Sequence, residues 1–452
     1  MISKQILKNY QYEIILIIIS LIKLGVIALY IKVDDYGLWL KVYALSAIIT
    51  FLIGGGITDA IKKNRLKNIS PTVNAINLVC IVIGGLVLAI EYILVEDIYN
   101  NLIYAILAYT IGILTVAQAT YGAILISQKE IDRLGKSRVV GGLATLMSTL
   151  AMIGYDAGIN ILIYPPIVGL IISIALMKNY SFSIKYNRRA IYLIWKHAYY
   201  LTPLSLLNYL MNNSIAIFGS HFLTNYEIGV YGFAKNIMNL IISFTYSPLY
   251  TFIYPMLRSR ITEINSKISQ LIDFQVTLIT PLSIISIIAT HYILAIFYGQ
   301  KWLIGYEILI ILYFTEVIKY GLVPFSSILT LKNKFLQITW MVLLRFILYL
   351  FAIAIAIATN IEINIYEIAA ILVAVDILAL MTYALYFQKE LKIKSVYKFK
   401  ILRAYAINII SYIPIMIIVI EGNDKGYLGL VTLVMAIQIL LTMKNVKIKH
   451  DL

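Results

Sequence analysis

The sequence predicts an all-α polytopic membrane protein of about 14 transmembrane helices, arranged as two six-helix lobes in pseudo-twofold repeat plus two C-terminal helices. Three observations carry this. Of 452 residues, 61% are hydrophobic and 13% charged, against about 45–50% and about 25% in soluble domains. The apolar residues come in blocks of about twenty, the length of a helix that crosses the ~30 Å hydrocarbon layer. Short motifs in the first half return in the second. A mean hydropathy of +0.88 excludes both a soluble enzyme and a disordered scaffold.

Apolar length and polar punctuation set the segments at 14–31, 36–58, 72–94, 101–126, 139–157, 159–177, 200–222, 229–253, 273–297, 305–330, 336–359, 364–387, 401–420 and 426–443. The first follows Lys4 and Lys8 and ends at Tyr30-Ile31-Lys32 without a small-residue cleavage site, so it reads as a retained helix rather than a signal peptide. Connections then alternate in charge. One set, with both termini, holds 28 of the 37 Lys and Arg, including Lys62, Lys63, Arg65, Lys67, Lys129, Arg133, Lys136 and Arg138. The other set (32–35, 95–100, 158, 223–228, 298–304, 360–363 and 421–425) holds three, Lys32, Lys301 and Lys425. The positive-inside rule therefore places both termini in the cytoplasm. Because the basic residues are spread over short loops, the net charge of +15 reads as a topology signal rather than a nucleic-acid surface. The outer connections are too short for a folded outer domain.

Asp35-Tyr36-Gly37-Leu38-Trp39 opens the second segment, and Glu227-Ile228-Gly229-Val230-Tyr231 opens the eighth, 192 residues later. Ile124-Leu125-Ile126-Ser127-Gln128-Lys129 ends the fourth, and Ile328-Leu329-Thr330-Leu331-Lys332-Asn333 ends the tenth, 204 residues later. Segments 1–6 and 7–12 thus form parallel copies, a transporter architecture with the pathway between lobes. The expected divisions are an N-terminal lobe 1–190, a second lobe 191–390 and an additional helix pair in 391–452.

These residues also carry a family resemblance. Tyr36-Gly37-Leu38-Trp39, Gly54-Gly55-Gly56 with Asp59, Pro203-Leu204, Gly229-Val230-Tyr231, Tyr254-Pro255 and Phe297-Tyr298-Gly299-Gln300-Lys301-Trp302 are together similar to the polysaccharide transporter family. These are the Wzx-type repeat-unit flippases of the MOP superfamily. The resemblance covers most of residues 10–390. It implies a two-lobed flippase of 12 to 14 helices, moving an undecaprenyl-diphosphate-linked oligosaccharide for O-antigen, lipopolysaccharide or capsule across a bacterial inner membrane by alternating access. Its implied partners are that lipid-linked oligosaccharide, the bilayer, and polymerase and chain-length proteins of the same pathway, with no nucleic acid. The chain departs from the family in its heavy use of Ile, Tyr, Asn and Lys.

An ionised side chain at the bilayer centre costs at least ~2.5–3.5 kcal/mol and normally faces a cavity or a partner. Six basic residues lie within segments: Lys23, Lys41, Lys235, Lys319, Arg345 and Arg403. Arg403 can snorkel to a nearby helix end. Lys319 follows Glu316 by three residues, which suits an ion pair within one helix. Lys23 shares a face with Ser20 in the first segment. The seventh carries Ser205, Asn208 and Asn212, with Asn213 beside them; the eighth carries Lys235, Asn239, Ser243 and Tyr246. Three polar faces inside a bilayer call for a hydrated cavity. Lys41 either lines it or snorkels, and Arg345 is either a cavity or an inter-helix residue. Asp376 is a candidate for coupling to protons, or the structural partner of Arg345; Glu316 is the second acid in this role.

No cofactor or catalytic group is expected, and a proton or sodium gradient is the candidate energy source. Lone Cys80 makes no internal disulfide, His221 and His291 lack ligand spacing, and Gly54-Gly55-Gly56 has no following Lys-Ser/Thr for a phosphate loop. Pro165, Pro166, Pro203, Pro248, Pro281, Pro324 and Pro414 are expected kink positions. The alternatives are a membrane polysaccharide polymerase or glycosyltransferase, which the short outer loops disfavour, and a MOP-superfamily transporter of another lipid precursor or of drugs, which would favour acidic cavities.

Overall fold

A computed structural model describes residues 2–48, 50, 56–58, 60–61, 70–94, 101–128, 130–155, 157–177, 187–219, 222–258, 290, 294, 298–320, 329, 334–358 and 364–390. Every element among them is helical. In chain order these are α1 (Ile2–Tyr30), α2 (Val33–Ser46), α3 (Ser70–Leu94), α4 (Leu102–Gln128), α5 (Ile131–Ile153) and α6 (Tyr164–Met177). They continue with α7 (Arg188–Asn212), α8 (Asn225–Arg258), α9 (Ile304–Tyr320), α10 (Phe335–Ala358) and α11 (Ile365–Glu390). The ninth, thirteenth and fourteenth predicted segments lie largely or wholly outside the described residues. Among the described residues, five stretches are long and apolar enough to cross a membrane: Gln11–Tyr30, Pro71–Ala89, Leu102–Gln128, Asn160–Met177 and Phe335–Ile355.

The helices start where local chemistry satisfies the free N–H groups of a first turn. Asn187 accepts from Ala190 N at 3.1 Å to open α7. Thr224 and Glu227 form a reciprocal capping box at α8, with Thr224 N to Glu227 Oε2 at 2.9 Å and Glu227 N to Thr224 Oγ1 at 3.2 Å. Asn364 and Glu367 repeat the device at α11, at 2.8 and 3.1 Å. α2 has no side-chain cap and instead carries Asp34 and Asp35 in its first turn, where they suit the helix dipole.

α1 and α7 open at Ile2 and Arg188, ahead of predicted starts at 14 and 200, and three further differences concern α5 and the second and seventh segments. α5 starts at Ile131 rather than 139, because the charged residues Asp132 to Arg138 form a helical turn outside the apolar block instead of ending the helix. The second segment, 36–58, is broken: α2 stops at Ser46, with Ala47 N–H closing on Tyr43 O at 2.9 Å. The seventh, 200–222, is broken too. α7 ends at Asn212, and a separate turn, Ser214–Phe218, follows. The break at Ala47 leaves no trace in hydropathy, whereas the break in the seventh segment falls on the polar run Asn212-Asn213-Ser214.

The chain divides into two packed units, 1–232 and 233–452, the boundary falling inside α8. In the first, α5 packs on α1 and α6, α4 on α2, α3 and α6. Gly141 and Gly169 let α5 and α6 approach so closely that a Cβ on Gly141 would lie 2.7 Å from Gly169 O. Side-chain hydrogen bonds join α3, α4 and α6: Tyr121 to Asn74, Asn77 to Thr120 at 3.3 Å, and Gln118 to Ser173 at 2.8 Å. An apolar cluster including Ile61, Val73, Ile124, Leu134, Met177 and Ile194 closes the end of this unit that bears the basic loops. There Tyr12 donates to Asp132 at 2.6 Å, and Arg138 pairs with Glu13 at 2.7 Å. The Asp132 carboxylate, 2.9 Å from Lys136, raises the Lys136 pKa. In the second unit α11 packs against α9 and α10.

The α5–α6 packing gives a direct test. Gly169→Val forces a branched side chain against Thr145 and the Gly141 carbonyl, and is expected to cost ~1–3 kcal/mol. Thermal unfolding of the detergent-solubilised protein should show a lowered Tm; an unchanged Tm contradicts the packing.

Candidate functional site

In the first unit, Ser20 and Lys23 lie half-buried on α1, three residues apart and so on one helix face. Lys41, on α2, is 7% exposed. Neither lysine has an ion-pair partner among the described residues. An ionised side chain within an apolar helix needs a counter-charge or water, since removing it from both carries a large desolvation penalty.

The polar residues of α7 gather where that helix ends. Asn208 and Asn212, one turn apart, are exposed. Asn213 is the C-cap: its N–H and its Nδ2 both donate to Tyr209 O, at 2.9 and 3.1 Å. Its own carbonyl accepts from Ile217 N at 2.9 Å, starting the turn Ser214–Phe218. The buried Tyr209 reaches the other way, its hydroxyl donating to Ala44 O in the last turn of α2 at 2.7 Å. Tyr209 thus ties together two helix ends, each midway along an apolar segment. In membranes, interrupted helices are tolerated where they are buried in protein or line a cavity, and they gather at substrate sites.

Sequence reasoning named Lys41, Asn208, Asn212 and Asn213 but missed Tyr209, one of 36 tyrosines. The signal available was its place between Asn208 and Asn212-Asn213. Asn213 differs from its neighbours, because its amide is committed to the helix end.

In the second unit, Arg345 of α10 donates through Nε to Asp376 Oδ1 of α11, an ion pair whose side chains are 13% and 2% exposed. This is the pairing that the sequence offered for the two residues. Lys235 is half-buried and engaged in an interaction of its own, and Asn239 and Ser243 are exposed. The side chains of Tyr246, Glu316 and Lys319 lie outside the described residues.

Residues 298–302 build a turn. Gly299 adopts φ +83, a conformation that favours glycine, and its N–H closes on Leu294 O at 3.1 Å. That turn delivers Trp302, fully buried, onto Phe233 in a stack with centroids 4.0 Å apart; Tyr298 meets the same ring edge-on at 5.4 Å. Burial pushes the Tyr298 phenol up to about 12 and lowers the pKa of Lys301.

A protein-family model described as "Polysaccharide biosynthesis protein" matches residues 26–305. No curated protein matches the chain. Among solved structures, the Lipid II flippase MurJ in an inward closed conformation is similar over 98% of this chain and 99% of its own, with TM-score 0.65 and 14% identity. An inward-facing multidrug resistance MATE family transporter of the MOP superfamily is similar over 85% and 94%, with TM-score 0.54 and 12% identity. The Vibrio cholerae MATE transporter VcmN is similar over 87% and 98%, with TM-score 0.51 and 14% identity. At such identities the likeness establishes the fold alone, a multi-span helical fold shared with these structures.

The buried pair predicts a characteristic mutational pattern. Arg345→Ala strands the Asp376 carboxylate and is expected to destabilise the protein by ~3–5 kcal/mol. Arg345→Met with Asp376→Leu removes both charges and should recover most of the stability in thermal unfolding. Equal damage from the single and double changes contradicts a structural ion pair.

Proposed function

Because the chain belongs to the polysaccharide biosynthesis protein family, we propose that it is a flippase rather than an enzyme, carrying an undecaprenyl-diphosphate-linked oligosaccharide repeat unit from the cytoplasmic to the outer leaflet of a bacterial inner membrane. The observation that carries this reading is the pair Lys23 and Lys41, cations in apolar helices with no carboxylate partner among the described residues. A diphosphate brings the fixed negative charge that such lysines lack. Asn208, Asn212 and Asn239, all exposed, offer amides that hydrogen-bond sugar hydroxyls in many orientations. The fold it shares with a Lipid II flippase is consistent with a lipid-linked cargo.

The mechanism is alternating access between the lobes 1–190 and 191–390. The headgroup enters from the cytoplasmic side and leaves on the outer side while the polyprenyl tail stays in the bilayer. A proton or sodium gradient drives the cycle through Asp376 or Glu316. Cytoplasmic termini follow from the placement of the basic loops. The product serves O-antigen or capsule assembly by the polymerase and chain-length proteins.

A multidrug exporter of the same fold is the second reading, favoured by the likeness to MATE transporters. Charge separates the two: cationic drugs call for unpaired carboxylates in the pathway, whereas the unpaired groups here are lysines.

Removing the protein from its host should leave intact single repeat units on the cytoplasmic leaflet, with no polymer formed. Units that reach the outer face but stay unpolymerised would identify a polymerase instead. Replacing Lys23 and Lys41 together by Gln, with the protein still inserted, should lower repeat-unit delivery by at least about tenfold for each charge-assisted hydrogen bond to the diphosphate that is removed. Full delivery removes both from the pathway.

A further inference from the structure

The first three turns of α7 carry two unlike faces. Ala190, Ile194 and Ala198, one turn apart, are buried, the last two within the apolar cluster at the end that bears the basic loops. A Cβ on Gly56 would lie 2.7 Å from Ala198 O, so this inner face is held against backbone as well. The opposite face carries Arg188, Tyr192, Trp195 and Tyr199, spaced i, i+4, i+7, i+11 and so aligned in one stripe. Its three aromatic residues are 61, 66 and 64% exposed, in that order, and Arg188 is exposed at its head. Arg189 and Lys196, also exposed, flank the stripe on one side. None of the three cations has an ion pair among the described residues. The sequence around them is of one sign: residues 157–226 hold Lys178, Lys185, Arg188, Arg189 and Lys196 and no Asp or Glu.

We propose that this face is a docking surface for the headgroups of anionic phospholipids, a role beyond the transport function above. Contact with hydrocarbon does not call for such residues: the exposed large side chains of α3, from Leu78 to Leu86, are all Leu, Ile or Val. Tyr and Trp instead settle at headgroup level, where an apolar ring meets the acyl chains and its O–H or N–H meets the polar layer. Helix stability does not call for the cations either, because Arg188 and Arg189 in the first turn of α7 oppose the helix dipole. A topology signal needs only their number, whereas here they are in register with the aromatic stripe. What suits all six side chains is a layer that is apolar on one side and negatively charged on the other. Arginine forks match phosphate oxygens, and the neighbouring sequence offers no carboxylate to compete for them.

The test uses the full-length protein in cargo-free phosphatidylcholine vesicles with a rising share of phosphatidylglycerol brominated on its acyl chains. The emission of the unaltered chain less that of Trp195→Phe isolates Trp195 from Trp39, Trp302 and Trp340. Brominated phosphatidylglycerol should quench Trp195 more than the same share of brominated phosphatidylcholine, and its titration gives an apparent association constant. Arg188→Gln, Arg189→Gln and Lys196→Gln combined should lower that constant at least about fivefold, the weight of one cation near an anionic surface. About 1 M sodium chloride, which screens charges beyond about 3 Å, should lower it for the unaltered chain too, independently of whether the variant folds. Equal quenching by the two brominated lipids overturns the proposal, as does an unchanged constant in the folded variant. Displacement of the brominated lipid by polyprenyl diphosphate equimolar with the protein would mark a cargo site and overturn it as well. No transport is read in these vesicles, so the result is separate from the fate of repeat-unit delivery.

Discussion

Inside a bilayer every backbone N–H and C=O must find its partner within the protein, because hydrocarbon offers none. That constraint makes every described element a helix, and it gives meaning to the places where a helix stops. Two of them lie midway along apolar segments, at Ala47 and Asn213. Their polar groups are answered locally: Asn213 closes on Tyr209 O, and the Tyr209 hydroxyl answers Ala44 O. The interruptions are built features of the first unit, and the candidate pathway residues Lys41, Asn208 and Asn212 stand beside them in sequence.

A second consequence is that polar side chains in these helices sort by whether the fold satisfies them. Asn74, Asn77, Gln118 and Ser173 bond across helices and hold α3, α4 and α6 together. Arg345 and Asp376 neutralise one another. Lys23 and Lys41 have no ion pair among the described residues, and this contrast, rather than their charge alone, is why they are the candidates for contact with a cargo.

Much of this was legible in the sequence because bilayer thickness writes itself into segment length. The tenth to twelfth segments open within one residue of α9, α10 and α11, and α10 and α11 also end close to prediction. The 192-residue offset was legible from five residues at each site, and two glycines within it, Gly37 and Gly229, pack closely together. The break in the second segment was not legible, since Ala47 sits among apolar residues, whereas the seventh breaks at the polar run Asn212-Asn213-Ser214, which the sequence displays. Nor could periodicity single out Tyr209 from other tyrosines, because its role depends on Ala44, 165 residues away. The Arg345–Asp376 pair could be named in advance because each was a buried charge in need of its opposite, on consecutive helices. Sequence distance, more than chemistry, decided what could be read.

The central claim is movement of a lipid diphosphate headgroup across the bilayer by this chain alone. The most direct measurement is reconstitution of the purified protein into vesicles holding a polyprenyl-diphosphate-linked oligosaccharide, with a glycosidase added outside. The account predicts that inner-leaflet oligosaccharide becomes accessible to the enzyme in vesicles with protein and stays protected in empty ones, under an imposed proton or sodium gradient. Protection that persists in intact vesicles with correctly folded protein would contradict it.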